Sequence, residues 1–339
     1  MKRSVVCLPI LSVVLLITAL LSLGVGAVTI APGRILQILT EHSGNAVPAT
    51  ELTIIWELRL PRLLLACFVG AGLGMAGAGY QGLFRNPLAD PFVIGASSGA
   101  ALGATLAIIN GWQGHVLGLA CIPAASLIGA LGAVAIVYSI ATVGRQIPMV
   151  SLLLAGVALS SMLGAIVSLL MFLHEEKLMT IFSWLMGSLS GRGWPALWST
   201  APLILIGGLI LWMHSRALDA LTFGEESAAS LGLGIRRLRA TIVLSASLIT
   251  AASVAGGGII GFVGLIAPHM ARSLVGARHA LVIPMSGLLG ALLLLLADDV
   301  ARTIVAPSEL PVGIVTALMG SPFFLYLLKT RQRELGVGQ

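Results

Sequence analysis

The chain has 339 residues, of which 58% are hydrophobic and only 9% charged, and its mean hydropathy is +1.04. A water-soluble domain carries about a quarter charged residues, so composition excludes one and indicates a polytopic integral membrane protein. The net charge of +6 comes from Lys and Arg standing singly or in small clusters between apolar runs, a pattern that sets membrane topology and gives no sign of nucleic-acid binding.

Met1-Lys2-Arg3 opens an apolar run from Val5 to Leu23. It looks superficially like a signal peptide, with Gly24-Val25-Gly26-Ala27 as a cleavage site. Its ~19 residues exceed a signal core of roughly 7–15, so it is expected to stay as a first span with the N-terminus in the cytoplasm. The apolar runs lack the every-second-residue alternation of barrel strands and are long enough for helices. Windows of about 19 residues predict ten spans: 5–27, 60–83, 92–110, 116–143, 149–173, 197–213, 238–256, 259–275, 281–301 and 311–328. The fold class is therefore all-α, with about ten transmembrane helices in one domain over 1–339. The two largest extramembrane stretches, from about Val28 to Arg59 and from His174 to Ala196, read as outer loops. Between the seventh and eighth spans Gly256-Gly257-Gly258 supplies the break.

Between the second and third spans lies Arg85-Asn86-Pro87-Leu88-Ala89-Asp90-Pro91, a polar, twice-kinked stretch that lipid does not tolerate; it belongs at a membrane face or inside protein. Ten spans that start inside put 13 of the 19 basic residues in the cytoplasm, Arg145 among them. Both termini are then cytoplasmic. Arg34, Arg59, Arg62, Lys177, Arg192 and Arg302 are left outside, and the basic pair Arg59/Arg62 runs against that bias and needs a reason.

Three spans carry small residues every fourth position: Ala66, Gly70, Gly74, Ala78; Gly95, Gly99, Gly103, Ala107; and Gly156, Ser160, Gly164, Ser168. Such stripes let helix backbones approach closely. The serines of the third also suit a solvated pathway. Asp298 and Asp299 end an apolar run; Asp298 precedes Arg302 by four residues, which predicts an i,i+4 ion pair, with a proton relay as the alternative. Gly95-Ala96-Ser97-Ser98-Gly99 matches a nucleophile elbow without its strand-turn-helix setting, and His174-Glu175-Glu176-Lys177 begins like a zincin helix but has Leu178 where the second His belongs. Cys7, Cys67 and Cys121 have no metal-ligand spacing, so no metal site is expected. No G-x-x-x-x-G-K-[ST] phosphate loop occurs, so the chain is expected to be non-catalytic and to hold no cofactor, with energy coming from a partner or an ion gradient.

Arg59-Leu60-Pro61-Arg62, Gln81-Gly82, Asn86 to Pro91, Leu153 to Leu159, Trp184 to Leu189, Gly261 to His269 and Glu309 to Gly313 stand in an order that resembles the ABC importer permeases for iron-siderophores, vitamin B12 and haem. The likeness runs from about position 56 to 328. It implies a ten-helix permease of the type II importer fold, in the inner membrane and paired with a second copy or a paralogue. Two cytoplasmic ATPase subunits that use ATP and Mg, and a periplasmic or lipid-anchored binding protein, complete the implied assembly. It also implies roles. Arg59, Arg62 and Arg302 match basic positions that dock the binding protein through its carboxylates. Within a cytoplasmic loop of about 215–237, Gly224, Glu225, Glu226, Ser227, Leu231 and Gly232 match the helix that couples to the ATPase. Met149 and Val150 fall at the cytoplasmic gate, where vitamin B12 members carry small hydroxyl residues, and the Gly156 to Ser168 row continues as pathway. This bulkier apolar pair weakens the case for vitamin B12, and the breadth of the family puts a ferric siderophore first, a corrinoid second and haem third. A proton-coupled secondary transporter using Asp298 and Asp299 is the alternative reading.

Overall fold

The computed structural model describes residues 2–26, 28–40, 48–112, 114–116, 119–142 and 148–334; Arg145 and His42 lie outside them. The chain starts with α1 (Lys2–Gly24), α2 (Pro32–Thr40) and α3 (Ala49–Thr53), which passes through a π turn (Ile54–Arg59) into α4 (Leu60–Phe84). Then come α5 (Ala96–Ile109), α6 (Cys121–Ala141), α7 (Met149–Leu173), α8 (Leu178–Leu185), α9 (Gly193–Met213), α10 (Ser215–Thr222) and α11 (Glu225–Ser230). The last four are α12 (Ile235–Gly257), α13 (Val263–Val275), α14 (His279–Thr303) and α15 (Val312–Glu334). The one strand pairing among the described residues is the two-residue ladder His115–Val116 with Leu119–Ala120.

Each of the ten predicted spans coincides with one helix: α1, α4, α5, α6, α7, α9, α12, α13, α14 and α15. Seven described segments are long and apolar enough to cross a membrane, while α5 and Val312–Tyr326 are shorter apolar helices. The two stretches read as outer loops are partly helical, as α2 with α3 and as α8. The break between the seventh and eighth spans is displaced. Gly256 and Gly257 still belong to α12, and the chain turns at 258–262, where Gly258 (φ 76°) and Phe262 (φ 69°) are left-handed.

The central helix is α4, which packs against α9, α12, α13 and α14. Its small residues make this possible. A Cβ on Gly70 or Gly74 would collide with the carbonyl oxygens of Gly290 and Ser286 on α14, and one on Gly77 with that of Gly264 on α13. Gly99 and Gly129 bring α5 and α6 together in the same way. The first two stripes are thus backbone-on-backbone contacts, where close packing supplies the attraction that apolar surface cannot supply in lipid. Tyr80 on α4 is fully buried and its hydroxyl lies 2.6 Å from Ser247 Oγ on α12.

At its end α4 closes in a Schellman turn: Arg85 is left-handed (φ 50°), its N–H donates to Gly82 O and that of Asn86 donates to Gln81 O. The polar stretch that follows satisfies itself with two Asx turns, in which Asn86 Oδ1 accepts from Leu88 N (3.0 Å) and Asp90 Oδ1 from Phe92 N (2.8 Å). Self-contained turns of this kind let irregular backbone sit among helices without leaving its polar groups to lipid.

Gly70→Leu should destabilise the protein by about 3 kcal/mol or more, because the contact it meets is backbone and cannot repack; Gly132→Ala, where the added Cβ meets open space, should leave it within about 0.5 kcal/mol. Thermal unfolding of both variants in detergent tests this, and equal melting would refute the close-contact reading.

Candidate functional site

The candidate residues gather at the two ends of the bundle. At the end expected to face outward, Arg59 closes the π turn, Arg62 sits in the first turn of α4 and Arg302 in the last turn of α14. All three are buried or nearly so, with side chains 8–12% exposed. Arg59 Nη1 donates to Leu23 O at 2.7 Å and Nη2 to Val28 O. Arg302 donates to Val25 O at 3.2 Å and to Ser22 Oγ at 3.0 Å. Leu23 O and Val25 O stand at the C-terminal end of α1, where carbonyls lack a helical donor and carry the negative end of the helix dipole, and Ser22 Oγ is a hydroxyl in the last turn. Arg59, one of the basic pair that runs against the topological bias, therefore has a structural use: with Arg302 it ties the end of the first helix into the bundle.

Arg62 is held between two carboxylates. Its Nε lies 3.0 Å from Asp298 Oδ2 and its Nη2 3.0 Å from Asp298 Oδ1, while Nη1 reaches both oxygens of Glu309 at 2.8 and 2.9 Å. The expected Asp298–Arg302 contact is present at 3.3 Å, and Arg302 also pairs with Asp299, which accepts from Ser22 Oγ at 2.6 Å. Two guanidiniums, Arg62 and Arg302, thus meet three carboxylates, while Arg59 beside them is bonded to backbone carbonyls. Asp298, 1% exposed, has its charge matched from two sides. Nothing in this arrangement supports the proton-relay alternative: both aspartates are ion-paired at a helix end. Burial alone would raise the Glu309 carboxyl, but Arg62 more than offsets this and holds it below the usual range. A cavity of about 250 Å³ opens beside Arg59, Arg62, Arg302 and Glu309.

At the opposite end, α11 stands between Gly224 (φ 108°) and Gly232 (φ 82°), two conformations that L side chains rarely adopt. Flanking it, Phe223 is 81% exposed and Leu231 73%, while Ala228 is fully buried. Glu226 and Ser227 lie on the exposed side. Glu225 is also exposed but reaches back to pair with Arg239 of α12. The preceding α10 is tied to the start of α14, where Asp219 Oδ1 accepts from the His279 backbone N (2.9 Å) and lies 2.6 Å from His279 Nδ1. A cavity of about 450 Å³ joins Met149 and Val150 to Glu225, Arg85, Arg236 and Arg239.

The Gly156, Ser160, Gly164, Ser168 row does not share one environment. Gly156 is buried against the Val93 carbonyl and Ser160 Oγ accepts from Ser98 Oγ at 3.2 Å, whereas Gly164 and Ser168 are exposed. An i,i+4 row advances about 40° per step at 3.6 residues per turn, so it winds from the packed face to the open one. Ser98 spends its proton on Gly95 O and Ser160, which leaves the nucleophile-elbow motif as a helix start. The three cysteines form no disulfide, and no group of three His, Cys, Asp or Glu side chains suited to a metal occurs, among the described residues.

Sequence reasoning missed Glu309, the Arg62–Asp298 bridge, Arg239 as partner of Glu225, and Phe223. A large apolar residue beside Gly224 in a polar segment was the available signal for Phe223. The ion pairs span long sequence separations and left none.

Residues 14–330 match the FecCD transport family. The hemin transport system permease protein HmuU of Yersinia pestis is 39% identical over 327 residues, covering 96% of this chain and 95% of its own. The cobalamin import system permease protein BtuC of Halobacterium salinarum is 44% identical over 286 residues, covering 84% and 76%. A solved structure described as an inward-facing conformation of a metal-chelate type ABC transporter superposes with a TM-score of 0.82 at 36% identity, over 96% of this chain and 99% of that one. Fold and family together define an ABC transporter permease. The chain belongs to the FecCD transport family.

Removing Arg62 leaves Asp298 and Glu309 with less compensation, so Arg62→Ala should cost about 3 kcal/mol and Asp298→Asn clearly less; equal melting temperatures in detergent would contradict the network. A second expectation concerns Asp90, which no cation pairs among the described residues. Burial raises its carboxyl to about 6, and the Phe92 N–H recovers only part of that. The folded protein holds this proton to higher pH than the unfolded chain, so its contribution is fully present below about 4 and is lost as pH rises through about 6. Asp90→Asn should therefore stabilise the protein at pH 7 by on the order of 2 kcal/mol, with the difference vanishing near pH 4, as melting curves across pH would show.

Proposed function

We propose that this chain is the membrane permease subunit of an ATP-driven importer that carries a metal chelate across the inner membrane. The supporting observation is the exposed apolar pair Phe223 and Leu231 beside a short helix held between two left-handed glycines. Exposed large apolar side chains on a cytoplasmic loop fit a groove on a partner, and the partner in this reading is an ATPase, one per permease of a dimer. A second copy or a paralogue forms the other half. ATP and Mg act on the ATPase, and this chain holds neither.

In this reading Leu231 and Phe223 engage the ATPase, Glu225 carries the displacement to α12 through Arg239, and Met149 and Val150 respond as the inner gate across the shared cavity. Val150, Gly164 and Ser168 line the pathway, with Gly156 and Ser160 holding α7 against α5. A periplasmic or lipid-anchored binding protein docks over Arg59, Arg62 and Arg302, where one of its carboxylates competes with Glu309 for Arg62. The similar permeases named for hemin and cobalamin support a chelate as cargo. Ferric siderophore ranks first, a corrinoid such as vitamin B12 second and haem third.

Proteoliposomes containing the permease, its ATPase and its binding protein should take up one of these ligands only with ATP and the binding protein present. Leu231→Asp should lower uptake at least about tenfold while melting stays unchanged, since the side chain is exposed. Uptake without ATP, or full uptake in the variant, would overturn the reading.

A further inference from the structure

Two cavities at the Arg59 end are unused by the reading above. The first, of about 620 Å³, lies among the ends of α5 and α6, α8 and the start of α9, and it is lined by Arg192 with Ser183, Ser188 and Thr180. Arg192 is the loop residue before α9. Its Nε donates to Ser188 O at 3.3 Å and no carboxylate pairs with it among the described residues. Burial without an anion lowers its guanidinium from the ordinary value. Trp184, 8% exposed, lines the same cavity, and its indole N–H has no acceptor.

The second, of about 390 Å³, is an apolar groove along α5 and α6, made deep by Gly99, Gly103, Gly129 and Gly132 and walled by Ile128 and Ile136. Trp112 borders both cavities, which places the one with Arg192 next to the end of the apolar groove. From Ala125 to Ile136 the groove follows α6 for roughly 16 Å, about half of a ~30 Å hydrocarbon core. It therefore matches one leaflet and stops.

We propose that these two cavities form a binding site for one anionic phospholipid, its phosphate at Arg192 and one acyl chain in the α5–α6 groove. An unmatched cation at the headgroup level, hydroxyls able to bond a polyol headgroup, and an apolar slot one leaflet deep are the three parts such a lipid needs. A helix of a second copy fits less well, since it would run the full membrane thickness and bring no anion to Arg192. This site does not depend on which cargo the permease carries.

Gly132 makes the test clean, because a Cβ there meets nothing within 4 Å. Gly132→Leu fills the groove from a position where the added Cβ meets no neighbour, and Arg192→Gln removes the charge from a loop. The full-length protein in detergent is loaded with dioleoylphosphatidylglycerol or dioleoylphosphatidylcholine, and bound lipid is counted by native mass spectrometry. One phosphatidylglycerol per chain should survive conditions that strip phosphatidylcholine, and each variant should weaken it by about tenfold or more, with melting and oligomeric state unchanged. Loss in Arg192→Gln alone, with full displacement by glycerol phosphate, would show a free-anion site and overturn the lipid. A changed oligomeric state in Gly132→Leu would show a copy interface and overturn it, as would wild-type retention in both variants.

Discussion

Everything in this structure hangs on how closely α4 approaches its neighbours. In lipid no hydrophobic gain draws helices together, so a central helix is held by van der Waals contact and by the few polar bonds it can complete. Glycines at 70, 74 and 77 remove the side chains that would keep α14 and α13 away. That approach brings the start of α4 beside the end of α14, and only then can Arg62 meet Asp298. The same approach puts Gln81, at the other end of α4, against Arg272 of α13 and lets its amide donate to Leu265 O.

The two ends of the bundle are mechanically related through α12 and α14. α14 carries Asp298, Asp299 and Arg302 at one end and takes the Asp219 bond at the other, so the ion network and the base of the α10–α11 segment share one rigid rod. α12 meets Glu225 near its start and Tyr80 midway along its length. Rigid helices with polar ties at both ends are suited to rocking as bodies, and the left-handed glycines around α11 are where bending is cheapest. In the outer cluster Arg62 and Arg302 bridge Asp298, Asp299 and Glu309, and Arg59 spends its donors on backbone carbonyls, so the charges sit at low exposure with their hydrogen bonds made.

Reading α7 shows how a motif and its geometry part company. Four small residues at i,i+4 spacing suggested one lining face, yet the row winds from the contact with α5 to the open side. The arginines show the complementary case. Their positions were evident from their conflict with the topological charge bias, but their partners were not, because Arg62 and Asp298 are 236 residues apart.

The sequence by itself determined the membrane class, ten helical positions, the polar hairpin after α4, the glycine stripes and the family, because hydropathy, span length and motif order are local properties that lipid and chain geometry read directly. Only the tertiary structure decided which charges neutralise each other, that Glu225 pairs with Arg239 while Phe223 and Leu231 stay bare, and that Trp112 borders two cavities. Those outcomes depend on which helix faces come together, and that is set by packing between segments distant in the chain, where spacing along one segment carries no information.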